Sequence, residues 1–145
     1  MIRTVIRNMN ASIPIQKIRR CYDSVDHDKV KLTDASRCTH MAMARELAKS
    51  STMLQRHGCV IVYKNQVLTK TVNTKPSGFS SSSHAEINAI KSIKGFPHIS
   101  QCDMYVARIG TDGMCAPLRY SKPCARCAAL IQWYKIRRVY YSVNE

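Results

Sequence analysis

Acidic residues are what this chain has least of. Nine Asp and Glu stand against 23 Lys and Arg, a formal charge of +14 over 145 residues, with no acid between Glu46 and Glu86 and none between Asp112 and Glu145. A balance this basic favours a phosphorylated or polyanionic partner. The competing reading is a solvated basic surface that serves only solubility. Long apolar runs are missing too: nothing approaches the roughly 18 to 20 apolar residues that a membrane helix requires, so no membrane partner is expected. No apolar signal-peptide core opens the chain and no internal repeat runs through it. The seven cysteines are odd in number and follow no spacing of a small disulfide scaffold, which predicts a reducing, cytoplasmic setting. The first 22 residues carry Arg3, Arg7, Lys17, Arg19 and Arg20 and no acid. That composition is shared with mitochondrial presequences, although Pro14 interrupts any long amphipathic helix.

The length suits one domain with an ordinary core. Residues 1–32 read as a basic extension of uncertain order, in which Ile2, Val5 and Ile6 start a short strand, and residues 33–145 as the domain. The capping chemistry of Thr33 and Asp34, followed by Met41, Ala44, Leu47 and Ala48 at helical spacing, predicts a helix ending near residues 50–51. The apolar run 59–63 suits a buried strand, Lys64 and Asn65 a turn, and 66–72 a second strand. A serine-rich stretch, 74–83, then reads as a loop, either a plain connector or a substrate-contacting segment. Ile87, Ile90 and Ile93 predict a helix over 85–94, stopped by Gly95 and Pro97. A strand over 104–107, a turn at Asp112 and Gly113, a helix over 124–135 and a strand over 138–143 complete the pattern. Strands alternating with helices imply an α/β fold, a three-layer α/β/α sandwich around a mixed sheet of four or five strands.

Chemistry concentrates in two short stretches: His84, Ala85 and Glu86, and then Pro123, Cys124, Ala125, Arg126 and Cys127. Pro123 is favoured at a first helical position, which puts Cys124 and Cys127 one turn apart on one face at a helix start. The helix N-terminus favours their thiolates. His84 and Glu86, two apart, serve one site only if His84 sits at the irregular start of its helix. One His and two Cys make a three-ligand zinc site with a fourth position left for water, the pattern of a catalytic rather than a structural zinc. A closed structural site completed by Cys102, Cys115 or His98 is the alternative.

These stretches, His84-Ala-Glu-Ile-Asn-Ala-Ile90 and Pro123-Cys-x-x-Cys127, resemble the paired signature of the zinc-dependent cytidine and deoxycytidylate deaminase superfamily. The likeness runs from about residue 33 to residue 143. It implies a cytidine-deaminase-like sandwich, one Zn2+ per chain held by His84, Cys124 and Cys127, and Glu86 as the carrier of protons between water and base. It also implies substrate contacts from Asn73 at the end of the second strand, whose other reading is a strand-terminating turn residue, and from Ala85 and Arg126 beside the ligands. Relatives often continue past the last strand, so a sheet edge is left for the N-terminal extension or a second subunit to cover, and a homo-oligomer is expected.

Motif and charge point to different substrates. The His-Ala-Glu-x-Asn-Ala-Ile stretch looks most like deaminases of free cytosine nucleotides or nucleosides, whereas a +14 chain is more basic than such a substrate needs and suits cytosine or adenine within single-stranded DNA or tRNA. Arg119, Lys122 and Arg126 could hold a phosphate in either case. A zinc-stabilised nucleic-acid-binding module without turnover is the reading from a different class. Glu86, one of only three glutamates, argues against it.

Overall fold

Val60, Ile61 and Val62 are apolar on both sides of the strand they form, and they lie buried at the middle of the sheet. The computed structural model describes residues 2–6, 15–18, 32–76, 78, 81–111 and 116–144, with side-chain surroundings from residue 39 onward. Its elements in chain order are β1 (Ile2–Ile6), β2 (Ile15–Ile18), α1 (Leu32–Ala48), β3 (Arg56–Tyr63), β4 (Gln66–Val72), α2 (Ala85–Ile93), β5 (Asp103–Ile109), β6 (Leu118–Arg119), α3 (Ala125–Trp133) and β7 (Arg138–Ser142). Lys64 and Asn65 join β3 to β4 with φ of 46° and 64°. Left-handed backbone at both central positions is the two-residue turn whose twist matches its strands.

The sheet runs β2-β1-β7-β5-β3-β4, with β6 beside β5. β3 pairs antiparallel with β4 and with β5, and β5 pairs parallel with β7 across the α3 crossover. From residue 33 onward this gives the mixed sheet of five strands expected. β1 lies antiparallel along β7, from Ile2 opposite Ser142 to Ile6 opposite Arg138, so β7 is not a sheet edge.

Helices cover both faces. On one, Met41, Ala44 and Ala48 of α1 pack against Val60, Val62, Tyr105, Ala107, Ile109 and Tyr140. On the other, Ala85, Ala89 and Ile90 of α2 and Ile131 of α3 pack against Cys59, Ile61, Met104, Val106, Val139 and Tyr141. Alternate residues of β3 and β5 therefore belong to different layers, as a pleated strand requires. Among the described residues no helix is long and apolar enough to cross a membrane.

Two details differ from the sequence reading. α1 begins at Leu32, so Thr33 and Asp34 lie within its first turn rather than before it. β6 was not foreseen, because two residues carry no periodicity. The turn expected at Asp112 and Gly113 lies outside the described residues.

α1 approaches β3 at Gly58. A Cβ there would stand 2.1 Å from Ala44 O and 2.8 Å from Ala48 N, both backbone atoms that cannot swing aside, whereas nothing lies within 4 Å of a Cβ at Gly95. Gly58→Ala is expected to destabilise the protein by about 3 kcal/mol, lowering the melting temperature by roughly 6–12 °C. Gly95→Ala should melt within about 2 °C of wild type, the small change usual for exposed substitutions. Paired thermal melts decide it.

Candidate active site

The start of α2 is tied to the end of β4 by small polar side chains. Asn88 donates from Nδ2 to Val72 O at 2.8 Å, Thr71 Oγ1 donates to Ala85 O at 2.8 Å, and Ser83 Oγ donates to Asn88 Oδ1 at 2.6 Å. Thr74 and Ser83 pair as an isolated bridge, so the chain returns beside β4 just before His84. His84 is the N-cap of α2, with extended backbone at φ −72° and ψ 151° and no capping bond from its side chain. An extended cap rotates His84 off the helical repeat, so its ring need not point away from Glu86.

α3 starts in the same way. Ser121 Oγ donates to Val106 O at 2.9 Å and accepts from Ser142 N at 2.8 Å, which fixes the lead-in to both β5 and β7. Cys124, not Pro123, stands at the helix boundary: it is the N-cap, with φ −67° and ψ 169°, its carbonyl accepts from Ala128 N at 2.8 Å, and the helix proper begins at Ala125. Pro123 thus lies one residue before the cap instead of at the first helical position. An extended Cys124 needs only a rigid lead-in, which proline's fixed φ supplies.

These two starts meet. The ligand atoms of His84, Cys124 and Cys127 all lie within 4.8 Å of one another. His84 Nδ1 is 3.2 Å from Cys127 Sγ and 3.5 Å from Cys124 Sγ. One ring nitrogen offers a single hydrogen or a single lone pair, so it cannot satisfy two sulfurs. Donors about 3.6 Å apart are what tetrahedral zinc imposes on nitrogen at about 2.05 Å and sulfur at about 2.3 Å. The residues therefore fit the metal. Among the described residues no fourth donor joins the cluster. Cys102 is buried elsewhere, its Sγ 3.5 Å from His98 O and its thiol pushed up to about 11, chiefly by burial. Cys115 lies outside the described residues.

Cys127 is buried, Cys124 is exposed and His84 half-buried, so the cluster opens to solvent on the Cys124 side. Burial first, then the Glu86 carboxylate and Cys124, push the metal-free Cys127 thiol well above its usual range, and Arg126 opposes them. Glu86 is only 4% exposed. Burial holds its carboxyl above the usual value, against its own backbone N–H and the charge of His84. Cys59, fully buried, is held in its neutral form by burial and then by Glu86 and Cys127.

The expected substrate contacts are placed differently from one another. Ala85 is fully buried in the first turn of α2. Asn73, 8% exposed, accepts through Oδ1 from His57 N at 2.9 Å and from Ser51 Oγ at 2.7 Å, and donates through Nδ2 to Gln55 O at 2.6 Å. One amide hydrogen remains. Arg126 is exposed on the first turn of α3. Asn88 stood within the His84–Ile90 motif with no role assigned to it, while Ser121 and Ser142 belong to no motif and escaped the sequence reading.

Residues 34–143 match the family described as the cytidine and deoxycytidylate deaminase zinc-binding region. The chain belongs to that family. Its metal is zinc, and the three-donor cluster supplies one site. Among solved structures, the dCMP deaminase of cyanophage S-TIM5 in apo form is similar over 69% of this chain and 76% of its own, with 19% identity and a TM-score of 0.54. RibD of Acinetobacter baumannii, form 1, shares 22% identity over 72% of this chain and 26% of its own, with a TM-score of 0.46. No curated protein sequence matches.

Elemental analysis should find about one zinc per chain, as one three-ligand cluster requires, and Cys127→Ser should lose it. Acid should strip the metal over a narrow pH range, because protons compete for two thiolates and an imidazole together. A second expectation concerns Glu86. With its pKa raised, the folded chain binds this proton more tightly than the unfolded chain. The ionised form thus costs stability, a cost absent below the ordinary carboxylate value of about 4.3 and imposed as pH rises through the folded value. Glu86→Gln should therefore melt higher than wild type in metal-free protein at pH 7, and the gain should vanish at about pH 4.

Proposed function

We propose that this protein hydrolyses the exocyclic amine of cytosine in a free (deoxy)cytidine nucleotide or nucleoside, releasing ammonia and leaving uracil. The observation that carries this reading is a buried carboxylate, Glu86, on the same helix turn as one ligand of a three-donor zinc cluster that is open on one side. A closed structural site has no use for such a group, which costs stability when ionised. When bound, zinc supplies Lewis acidity that brings the pKa of water towards about 7.

The chain's own residues do the rest. Glu86 takes a proton from the attacking water as oxygen adds to ring C4 and passes it to N3. It then takes the proton of the new C4 hydroxyl and gives it to the amine, so that C4=O forms as the C–N bond breaks and ammonia leaves. A carboxyl whose pKa is lifted by burial suits that cycle, because it takes water's proton more readily than an ordinary carboxylate does and can still return it. The two uncapped helix starts point partial positive charge at the thiolates and at the reacting ring. The free hydrogen of Asn73 Nδ2 is available to a sugar hydroxyl.

The chain's charge supports a second reading, in which the cytosine or adenine lies within a polynucleotide. Offering dCMP, cytidine, single-stranded DNA and tRNA side by side, with mass spectrometry of the bases, separates the two. The expected result is turnover of the free nucleotide, with binding that changes little with salt. Preferred turnover of DNA or tRNA, with affinity falling steeply as salt rises, would overturn it. Glu86→Ala should lower kcat by about 10³-fold while zinc content stays unchanged. Wild-type turnover by that variant would remove the enzymatic reading altogether.

A further inference from the structure

Sequence alone offered Arg119, Lys122 and Arg126 as phosphate holders, and two of the three, Lys122 and Arg126, are exposed. A different set of cations is built into the sheet. His57 on β3 lies opposite Arg108 on β5, and Arg108 lies opposite Arg119 on β6. Directly opposite residues share a face. Their alternate neighbours fix which one: Cys59 and Val106 pack under α2, while Ile109 and Leu118 pack under α1. The row His57, Arg108, Arg119 therefore faces the zinc layer.

It also lies close to the zinc cluster. Asn73 N donates to His57 O at 3.3 Å, and the next residue, Thr74, is bridged to Ser83, the neighbour of His84. Burial lowers the pKa of His57 most, the Gln55 carbonyl opposes this, and the charges of Arg108 and His84 lower it further. The row is thus within electrostatic reach of the metal ligand. Arg108 carries the second observation: its Nε is buried and has no acceptor among the described residues. A buried guanidinium donor left unmatched is costly, and native folds rarely retain one without use.

We propose that Arg108, flanked by His57 and Arg119, binds the phosphate monoester of the nucleotide whose base lies at the zinc cluster. A guanidinium matches phosphate oxygens in geometry and charge, and partial burial strengthens the pairing over what a solvated lysine gives. The inference rests on the deaminase reading and narrows it from nucleoside or nucleotide to nucleotide.

The test compares dCMP with deoxycytidine in wild type, Arg108→Met, Arg108→Lys and His57→Asn, each checked for zinc content and melting. Arg108→Met and His57→Asn should lower kcat/KM for dCMP by about 10- to 100-fold and change that for deoxycytidine less than about threefold, as loss of a charge-assisted bond predicts. Arg108→Lys should retain part of the preference, which a purely structural role would not produce. An unchanged ratio of dCMP to deoxycytidine in all three variants overturns the subsite and leaves the deaminase standing. Equal losses on both substrates do the same. Equilibrium binding of dCMP and deoxycytidine to zinc-loaded Glu86→Ala, with and without Arg108→Met, reads the subsite independently of turnover. If wild type deaminates nothing, yet Arg108→Met weakens dCMP binding alone, the deaminase reading fails and the subsite survives. An oligonucleotide turned over more than about tenfold better than dCMP, with Arg108→Met affecting only the oligonucleotide, overturns the monoester assignment in favour of a phosphodiester.

Discussion

Everything at the working end of this molecule depends on two helix starts meeting at one metal. A helix begins with backbone N–H groups that lack intrahelical partners, and proteins usually answer them with Ser, Thr, Asp or Asn at the cap. Here the cap positions of α2 and α3 are held by His84 and Cys124, neither of which makes a capping bond. Both side chains are committed instead to the cluster with Cys127. The local cost of two uncapped helices is offset by metal binding, and the orphan N–H groups become a field that favours thiolates. Ligation and electrostatics come from one choice of residues.

Such a junction needs a rigid platform beneath it, and the sheet supplies it through small residues and hydroxyls more than through bulk. Gly58 lets α1 close on one face, while Ala85 and Ala89 let α2 close on the other. Thr71, Asn88, Ser121 and Ser142 then fix the two helix starts in register with β4, β5 and β7. These residues are not donors of the metal cluster. They set the direction in which the donors point.

The parts that were legible in the sequence are those with a repeating signal. Ile87, Ile90 and Ile93 gave α2 its period, Lys64 and Asn65 gave the hairpin its turn, and His84, Cys124 and Cys127 gave the metal site its spacing. Parts without a period stayed dark. β6 is two residues long, while the cover of β7 by β1, one of two that the sequence left open, was undecided because it joins residues far apart in the chain. Arg108 carried no reading in the sequence, because only cross-strand register reveals that it faces the zinc layer with His57 beside it. Pro123 was read two positions too far into its helix, since proline suits both the first helical residue and the residue before an extended cap.

The scarcity of acid explains the behaviour of the one acid that matters. Carboxylates in active sites often owe a raised pKa to a second carboxylate nearby, and then a neighbour's protonation state controls them. Glu86 has no such neighbour among the groups that shift it: burial raises its pKa, while its own backbone N–H and His84 lower it. Its proton affinity is therefore set by packing on one side and by cationic and dipolar surroundings on the other. Packing is fixed by α2 and the sheet, whereas the cationic surroundings would change if a phosphate paired with Arg108 as proposed. Neutralising positive charge near His84 would weaken the pull that holds Glu86 ionised, so the proposed nucleotide would raise the proton affinity of its proposed proton carrier. In a chain with more acid around the site, that response would be diluted by carboxylates already pairing the cations.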